Sequence, residues 1–538
     1  MQKSRVLIQR ESRVTVLHKS RVFLRYKSKE YFTINPIYMS SPSEKLAQSL
    51  DQLRTLQNKS GLAVVTSGQL SRTHLERLVK NGFLQEVLKG WYISSRPDSL
   101  PGDTTTWYTS YWHFVVAYAT VRFGGDWSLS ADQSLALHTG NSLVPSQLII
   151  RSPKANNNIV TLLHGTSLLL LRADLPDEIV MDPLYGLRLY KLPEAIVTAS
   201  PGAYQGDALD IRTGLSMIKD SSDVLHYLAG KGMSTRAGRV SGAFRSIGRK
   251  SIADDIKATM KSLNYDIREE DPFEVKIELP GTASPYVSRL QLMWNNMRGQ
   301  IVALFPEAPP KSSLTDYLAT VEAQYKLDAY HSLSIEGYSV TEELIEKVRS
   351  GEWRPDTNQT DMEQRNALAA RGYWQAFQEV KKSVQRVLEG ENAGKVAEAD
   401  HRNWYRQLFQ PCVTAGIIKA VDLSGYRSSQ VYIRGSLHTP LNPDALRDAM
   451  PELFRLLENE PHAGVRAVLG HFIFTFIHPY MDGNGRVGRF LLNVMLASGG
   501  YDWLIIPVER RKEYMAALEK ASVDTDITDF TRFIISLL

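Results

Sequence analysis

Cysteine is almost missing from this sequence, since Cys412 is the only one in 538 residues. A single thiol excludes an internal disulfide and a cysteine-rich metal site, and such a chain is typical of a reducing compartment. The sequence also has no apolar run near the roughly 20 residues that span a bilayer, and it has no Walker A loop. We therefore expect a soluble cytoplasmic protein without P-loop chemistry, long enough for two or three domains.

Net charge of one sign is confined to the amino terminus. Residues 1–38 contain nine Lys or Arg and two Asp or Glu, a charge of +7, so the +5 of the whole chain leaves −2 for the rest. Ser-Arg-Val recurs there every eight residues, at Ser4, Ser12 and Ser20, a period that neither helix nor strand geometry requires. We expect Met39 to be the true start and residues 1–38 to be a spurious or disordered extension. The alternative is an organelle-targeting segment, which would also be basic and poor in acids.

Residues 39–100 follow the pattern of a winged helix-turn-helix. The capping box Thr73-x-x-Glu76 introduces an apolar helix face, and the next stretch predicts a hairpin that turns at Lys89-Gly90. Basic side chains on or beside the second helix would contact DNA phosphates in this interpretation, although a solvated helix face fits the same pattern. These residues are Arg72, His74, Arg77 and Lys80.

Residues 101–275 predict a mixed α/β region. Together with the strand Gly90-Trp91-Tyr92, the order of elements over residues 45–270 resembles the amino-terminal part of AbiEi-type antitoxin proteins. The resemblance rests on pattern and order, not on a chemical motif. A second basic group within it would bind nucleic acid or a partner, or would form a solvated helix face. It comprises Arg236, Arg239, Arg245, Arg249 and Lys250.

From residue 280 to 538 nearly every apolar pattern is helical. The acidic stretch before Pro272 and the turn at Pro280-Gly281 mark this change of character. One segment near 426–437 predicts a β-hairpin. The fold class is therefore multidomain, with an α+β winged-helix amino-terminal region followed by an all-α domain that carries a small β-hairpin.

The segment from His478 to Arg489 carries the densest chemistry of the chain and lies between two apolar runs. It predicts a helix, a polar loop and a second helix. Gly483 and Gly485 flank Asn484, and glycines there allow successive N–H groups to form an anion-binding nest at a helix amino terminus. A phosphate chain fits such a nest.

Charged side chains surround this nest. Arg486 and Arg489 are three residues apart, so both guanidinium groups point along one helix face toward it. Asp482 offers a hard oxygen ligand suited to Mg²⁺, and His478 can accept a proton near neutral pH. A base, a metal ligand and a polyphosphate site this close together predict transfer of a phosphate-linked group to a hydroxyl.

The segment resembles the Fic family signature, His-x-Phe-x-(Asp/Glu)-Gly-Asn-Gly-Arg-x-x-Arg, with Tyr480 where the family usually has Phe. That position is an apolar anchor in the family, so Tyr480 should pack similarly. The resemblance implies a protein adenylyltransferase that uses ATP and Mg²⁺ and modifies a Ser, Thr or Tyr hydroxyl of a target protein. It also implies the roles of base for His478, Mg²⁺ ligand for Asp482, α- and β-phosphate contacts for Gly483, Asn484 and Gly485, triphosphate support for Arg486 and γ-phosphate contact for Arg489.

A second hallmark of the family lies upstream. The stretch Ser332-Leu-Ser-Ile-Glu336-Gly337 resembles the inhibitory motif (Ser/Thr)-x-x-x-Glu-(Gly/Asn). The resemblance implies that Glu336 pairs with Arg489 and competes with the γ-phosphate for the same guanidinium. The inhibitory helix would then precede the signature in the same domain. Taken alone, the stretch fits an ordinary helix end followed by a glycine.

Two further assignments come from the position of segments relative to the signature. The hairpin near 426–437 matches the family flap, on which a target segment docks by strand addition, and we expect Val431 and Ile433 to face the target. Tyr514 resembles a residue of the helix that closes the base pocket and would contact adenine, although a core tyrosine fits equally well.

The leading hypothesis is an autoinhibited protein adenylyltransferase with an antitoxin-like region in front. One alternative is a DNA-binding regulator whose Fic domain senses ATP without turnover. Another is a Fic enzyme that uses a different nucleotide or removes AMP. The oligomeric state stays open, with a homodimer as one option.

Overall fold

The computed structural model describes most of the chain, in two compact units, 1–100 and 101–538. Helices on both sides of the predicted boundary at 275–280 contribute to one core in the second unit, while the predicted domain bounds stay predictions. The described residues are 41–60, 64–97, 104–205, 209–229, 233–273, 276–277, 279, 281, 284–310, 312–353 and 361–538, together with the backbone of four strands before residue 35.

These first four strands form a sheet in the order β2-β1-β3-β4, in which β1 and β3 are parallel. Arg5 and Arg13 of successive Ser-Arg-Val copies open β1 and β2, and Val22 of the third copy opens β3. The repeat therefore spaces the starts of strands. The prediction of a spurious or disordered extension stays a prediction. The strands are β1 Arg5–Gln9, β2 Arg13–Leu17, β3 Val22–Arg25 and β4 Tyr31–Ile34.

The remainder of the first unit is two helices and a three-stranded antiparallel sheet of order β5-β7-β6, packed on a small core that includes Val65, Leu78 and Leu84. The hairpin turns between β6 and β7 at Lys89-Gly90, as predicted. The predicted cap is wrong, because α2 begins after Ser71, whose side chain accepts the N–H of His74, and Thr73 already lies inside the helix. The elements are α1 Pro42–Ser60, β5 Val64–Thr66, α2 Arg72–Lys80, β6 Leu84–Leu88 and β7 Trp91–Ser94.

Two of the four predicted phosphate-facing residues of α2 are used inside the unit. Arg77 donates to the Lys45 carbonyl at 2.9 Å and to Ser49 Oγ at 2.7 Å. His74 Nδ1 lies 2.9 Å from the same hydroxyl. These two side chains therefore fasten α2 to α1, which argues against their assignment to a DNA-contacting face.

The second unit begins with a mixed sheet of order β10-β11-β9-β8, in which β9 and β11 are parallel. Helix α3 buries an aromatic face, because Trp107, Tyr111 and Phe114 are spaced four and three residues apart and are all buried. The elements are α3 Thr105–Phe123, β8 Ser128–Leu129, α4 Ala131–His138, β9 Gln147–Ser152, β10 Asn158–Thr161, β11 Ser167–Arg172, β12 Ile179–Met181, β13 Arg188–Tyr190, α5 Leu192–Thr198, α6 Leu209–Met217, α7 Ser222–Leu228, α8 Ser234–Ser246 and α9 Lys250–Ser262.

The basic group around α8 is structural for the most part. Arg245 forms ion pairs with Glu269 and Asp254, and Arg249 donates to the carbonyl of Ile218 at 2.9 Å. The Arg239 guanidinium lies over the ring of Tyr204. These contacts engage three of the five residues within the fold and argue against a nucleic-acid surface, while the binding of nucleic acid or a partner by this group stays a prediction.

The carboxy-terminal half is helical, as predicted. Helix α16 is apolar on every side because it lies at the centre, with Val465, Leu469 and Phe472 fully buried. No helix in the described part of the chain is long and apolar enough to cross a membrane. The helices are α10 Pro285–Leu304, α11 Leu314–Ile335, α12 Glu342–Arg349, α13 Asp361–Leu388, α14 Ala393–Thr414, α15 Leu446–Asn459, α16 Ala463–Ile477, α17 Asn484–Ser498, α18 Arg511–Val523 and α19 Thr528–Ile535.

The predicted hairpin near 426–437 is wrong, because residues 361–538 contain no strand. Residues 424–442 form an irregular loop, which we call the capping loop. Side chains take the place of a strand ladder there: Gln430 Nε2 donates to the Pro440 carbonyl at 2.7 Å, and Arg427 Nη1 donates to the Ser429 carbonyl at 3.0 Å. The backbone groups that a hairpin would pair across strands are therefore partly satisfied by side chains.

Replacing Gly372 by alanine should destabilise the crossing of α13 and α14. A Cβ at this position would overlap the carbonyl oxygen of Leu408, and backbone cannot rotate away. We expect the free energy of unfolding to fall by about 2 kcal/mol or more, measured as a lower thermal midpoint. Gly299 is the matched control, because it lies inside α10 with open space around it, and Gly299→Ala should stabilise by up to about 1 kcal/mol. Equal midpoints for the two variants would contradict this crossing.

Candidate active site

Two helix ends meet at the loop that the sequence singles out. Helix α16 ends at His478, whose backbone is left-handed with φ +55°. Helix α17 begins after Gly483, which has φ +80°, a conformation that glycine adopts without strain. The predicted arrangement of helix, polar loop and helix is confirmed. The loop thus lies between the carbonyl end of one helix and the amide end of the next.

Asn484 shapes the loop rather than facing open space. Its Nδ2 donates to the Tyr480 carbonyl at 2.8 Å, and its Oδ1 accepts the Tyr480 N–H at 2.9 Å. Tyr480 is buried and stacks on Tyr405, with ring centroids 3.7 Å apart, so it packs as the predicted apolar anchor. Oδ1 and one of the two Nδ2 N–H groups of Asn484 are thus used within the loop, which leaves the second Nδ2 N–H and the backbone N–H groups of this stretch for the predicted phosphate contacts.

Arg486 lies under the loop as a buried cation. Its side chain is 1% exposed and lies between the rings of Tyr338 and Phe409, 5.3 and 5.0 Å from their centroids. Its Nη2 is 3.3 Å from Asp482 Oδ2. The aromatic faces stabilise the guanidinium and hold it in one place beside the amide end of α17.

Glu336 reaches the same place from α11. Its Oε1 accepts from Arg489 Nη2 at 2.7 Å, and it lies so close to Gly485 that any side chain there would overlap it. Ser332 supports the pair, because its Oγ accepts from Arg489 Nε at 2.8 Å and its carbonyl from Nη2 at 3.0 Å. Gly337 follows with φ +85° and ends the helix. The structure therefore brings together the residues of the predicted inhibitory motif and the last arginine of the signature.

Glu336 and Arg489 each stabilise the charged form of the other. Burial alone would raise the pKa of Glu336, but Arg489 and Arg486 outweigh it and lower that pKa below its ordinary value. Although burial works against it, the pKa of Arg489 is raised by Glu336. Arg489 Nη1 is buried and has no hydrogen-bond partner among the described residues. One donor of this guanidinium is therefore left for another acceptor.

His478 is neutral at ordinary pH. Burial and, to a smaller extent, the nearby Arg427 lower its pKa to about 4, against the opposite effects of the Thr475 carbonyl, Glu336 and Asp482. Its Nδ1 lies 3.1 Å from the Thr475 carbonyl. Since a carbonyl can only accept, Nδ1 carries the hydrogen and Nε2 keeps its lone pair. The ring is thus prepared to accept a proton at Nε2.

Asp482 is the exposed carboxylate of the loop. Its side chain is 60% exposed, and Oδ1 accepts the Gly483 N–H at 2.6 Å. The described residues contain no group of three or more His, Cys, Asp or Glu that could hold a metal by themselves. A single hard oxygen ligand fits Mg²⁺, which takes its other ligands from water and substrate phosphates.

Sequence reasoning missed Arg427 and His438, which both bind the carbonyl end of α16 from the capping loop. Arg427 Nε donates to the His478 carbonyl at 2.8 Å. His438 Nε2 lies 2.8 Å from the Phe476 carbonyl. Neither residue belongs to a motif. The only sequence signal for Arg427 is that no other charged residue lies close to it along the chain.

The predicted target-facing residues of the flap lie in the capping loop. Val431 and Ile433 are half-buried, and the residue between them, Tyr432, shares a hydrogen bond with Tyr185 of the α/β region. The Gly435 N–H donates to Thr105 Oγ1 at 3.3 Å. The α/β region therefore holds this loop, and no strand edge is free there for strand addition.

Tyr514 is a core residue and not part of an open pocket. Its side chain is 1% exposed, its hydroxyl lies 2.8 Å from His471 Nε2, and its ring packs against Phe530 and Phe533. This burial argues against the adenine contact, which stays a prediction. Of the two interpretations open at the sequence level, the buried tyrosine fits the structure.

Comparison with known proteins identifies the domain that contains this loop. The model of the Fic/DOC family matches residues 395–496. The chain contains a Fic/DOC domain. It is 30% identical over 210 residues to the protein adenylyltransferase Fic of Drosophila virilis, which covers 38% of this chain and 39% of that protein. The chain spans about two fifths or less of the length of the curated relatives it matches.

Another curated relative and two solved structures are also similar to this chain. Protein adenylyltransferase fic-1 of Caenorhabditis elegans is 32% identical over 118 residues, 21% of this chain and 23% of that protein. The structure of its residues 134–508 has a TM-score of 0.34 at 20% identity and covers 63% of this chain and 94% of its own. A Fic-domain signaling protein from Bacteroides thetaiotaomicron has a TM-score of 0.33 at 17% identity, with coverages of 47% and 92%. The resemblance to AbiEi antitoxins stays a prediction.

Removing the Tyr480 hydroxyl should stabilise the protein. This oxygen is buried and has no hydrogen-bond partner among the described residues, and an unsatisfied buried hydroxyl costs about 1 to 3 kcal/mol. We expect Tyr480→Phe to raise the thermal midpoint. In the matched control Tyr373→Phe the midpoint should fall, because the Tyr373 hydroxyl donates to the buried Asp328 at 2.7 Å. A lower midpoint for Tyr480→Phe would show that its hydroxyl has a partner after all.

Proposed function

We propose that this protein transfers AMP from ATP to a hydroxyl side chain of a target protein, and that Glu336 inhibits the reaction. The observation that carries the proposal is the convergence of a neutral His478, the amide end of α17 and the two buried guanidinium groups on one loop. Relatives of the Fic/DOC domain are named protein adenylyltransferases, which supports the same chemistry.

The loop contains the parts that this reaction needs. His478 Nε2 takes the proton of the target hydroxyl, whose oxygen attacks the α-phosphorus of ATP, and pyrophosphate leaves. The amide end of α17 and Arg486 bind the phosphates through N–H groups and charge. Mg²⁺, held by Asp482, would neutralise charge on the phosphates when bound. These residues are placed before substrate arrives, so little reorganisation is needed during transfer.

Inhibition follows from competition for Arg489. The Glu336 carboxylate accepts a hydrogen bond from one edge of this guanidinium, with 2.7 Å between Oε1 and Nη2, and it lies against Gly485 at the start of α17. A γ-phosphate bound there would need the same donors and would meet the same negative charge. We propose that ATP is bound productively only when the Glu336 side chain has left Arg489.

We expect Glu336→Gly to raise AMP transfer by about tenfold or more, because it removes the carboxylate that competes with the γ-phosphate for Arg489. A tenfold change corresponds to roughly 1.4 kcal/mol. The measurement is incorporation of label from α-labelled ATP into the protein itself or into lysate proteins. Glu307→Gly is the control, since Glu307 is exposed in the loop after α10 and should leave the rate unchanged. Equal rates for the wild type and Glu336→Gly would exclude inhibition by this residue.

His478→Ala in the Glu336→Gly background should abolish transfer while ATP still binds, because the ring accepts a proton and does not hold phosphate.

The pH dependence provides a second check. Since the pKa of His478 is lowered to about 4, the neutral ring persists at pH 6, and the rate of Glu336→Gly should fall only as the pH drops below about 5. A rate that already falls between pH 7 and 6 would mean that another group limits the reaction or that His478 has an ordinary pKa.

A further inference from the structure

We propose that Arg427 is a positioning residue of this active site, which fixes His478 by capping the carbonyl end of α16 from the capping loop. The inference rests on the proposed function, in which His478 is the base. His438 supports the same helix end. Neither residue belongs to the signature or to the inhibitory motif.

The cap is built from hydrogen bonds to consecutive carbonyls. Arg427 Nε donates to the His478 carbonyl at 2.8 Å and Nη2 to the Ile477 carbonyl at 3.4 Å. The backbone N–H of Arg427 donates to the Pro479 carbonyl at 2.9 Å, and His438 Nε2 lies 2.8 Å from the Phe476 carbonyl. Four successive carbonyls, from 476 to 479, thus have partners in the capping loop.

The same guanidinium also holds its own loop. Nη1 donates to the Ser429 carbonyl at 3.0 Å, and Nη2 donates to the Leu441 carbonyl. Arg427 is 5% exposed and forms no ion pair among the described residues. A buried cation without a carboxylate is costly unless carbonyl dipoles surround it, and the carbonyl end of a helix carries the partial negative charge that suits it.

His478 needs such a restraint. A residue other than glycine with φ +55° is held in the left-handed region against a cost of about 1 to 3 kcal/mol, and it stays there only when its surroundings enforce it. The contacts of Arg427 to the carbonyls on either side of this strained backbone enforce it. The direction of the imidazole then follows from the backbone and from the bond of Nδ1 to the Thr475 carbonyl.

Arg427 acts on His478 through charge as well. The charged groups that face the ring are Arg427 from the capping loop, Glu336 from the end of α11 and Asp482 from its own loop, and His438 lies close by. Of the three charged groups, Arg427 alone favours the neutral imidazole. A role limited to folding would not depend on this charge, so the titration of His478 separates positioning from plain structural support.

The test compares Arg427→Gln, which loses the charge, with Arg427→Lys, which keeps the charge but loses the fork, both in the Glu336→Gly background. We expect Arg427→Gln to lower kcat at least about tenfold, with the Kd of ATP changed less than about twofold. The pKa of His478, followed by NMR of the histidine ring, should rise because a charge that lowers it is lost, while burial of the ring, the larger cause of the low pKa, remains. Arg427→Lys should keep the low pKa and lose part of kcat. Arg402→Gln is the control, because Arg402 stacks on Tyr426 of the same loop without reaching α16.

Two results would overturn the proposal. One is an Arg427→Gln variant with unchanged kcat and unchanged His478 titration. The other is a fall in kcat that is matched by an equal loss of ATP binding, with the titration unchanged. If Arg427→Gln does not fold, judged by its thermal midpoint, Arg427→Lys decides the matter, since an unchanged kcat would contradict the cap. The titration needs no turnover, so a parent that transfers no AMP would refute the proposed function and leave the test of Arg427 intact.

Discussion

The geometry of this site depends on one constraint: two helix ends meet at a short loop, and their unsatisfied backbone groups need partners. The carbonyl end of α16 receives cations and donors, from Arg427 and His438. The amide end of α17 receives carboxylates, since Asp482 accepts the Gly483 N–H and Glu336 lies against Gly485. Each end thereby meets the sign of charge that its dipole favours. Asp482 and Glu336, proposed for metal binding and inhibition, and Arg427, proposed to position the base, are therefore also residues that meet the helix ends.

This arrangement explains how one loop holds several charges without protonating the base. Arg486 and Arg489 are buried, yet aromatic rings surround the first and Glu336 with Ser332 surround the second. Their positive charge lowers the pKa of Glu336. At His478, burial and Arg427 outweigh the carboxylates, so the imidazole is neutral at the pH where phosphates and carboxylates are ionised. The base and the anion site therefore function at the same pH.

The sequence predicted those parts of the site that are local along the chain. The polar loop, the two glycines and the spacing of Arg486 and Arg489 all lie within one turn of a helix start, and the Ser332–Glu336 spacing places both on one helix face. The errors concern contacts between distant residues. Alternation at 426–437 indicated a hairpin, but Arg427 and Gln430 satisfy carbonyls that a ladder would have paired. Tyr514 fitted a pocket or a core equally well, and its bond to His471 favours the core. Most of the helical pattern was predictable, because apolar periodicity reports burial directly.

The capping loop links the Fic/DOC domain to the α/β region. One side of the loop caps α16, while its other contacts are Tyr432 with Tyr185 and the Gly435 N–H with Thr105 Oγ1. Glu519 of α18 fixes the same turn, accepting the Leu437 N–H at 2.7 Å. Separation of the capping loop from the α/β region would cost free energy in either of two ways. If the loop moved with the α/β region, the carbonyls of α16 would lose their partners. If the loop stayed on α16, its own polar groups that now bond to the α/β region would be unpaired. The α/β region therefore contributes to the stability of the loop that holds His478, even though none of its described residues is among those assigned to the site.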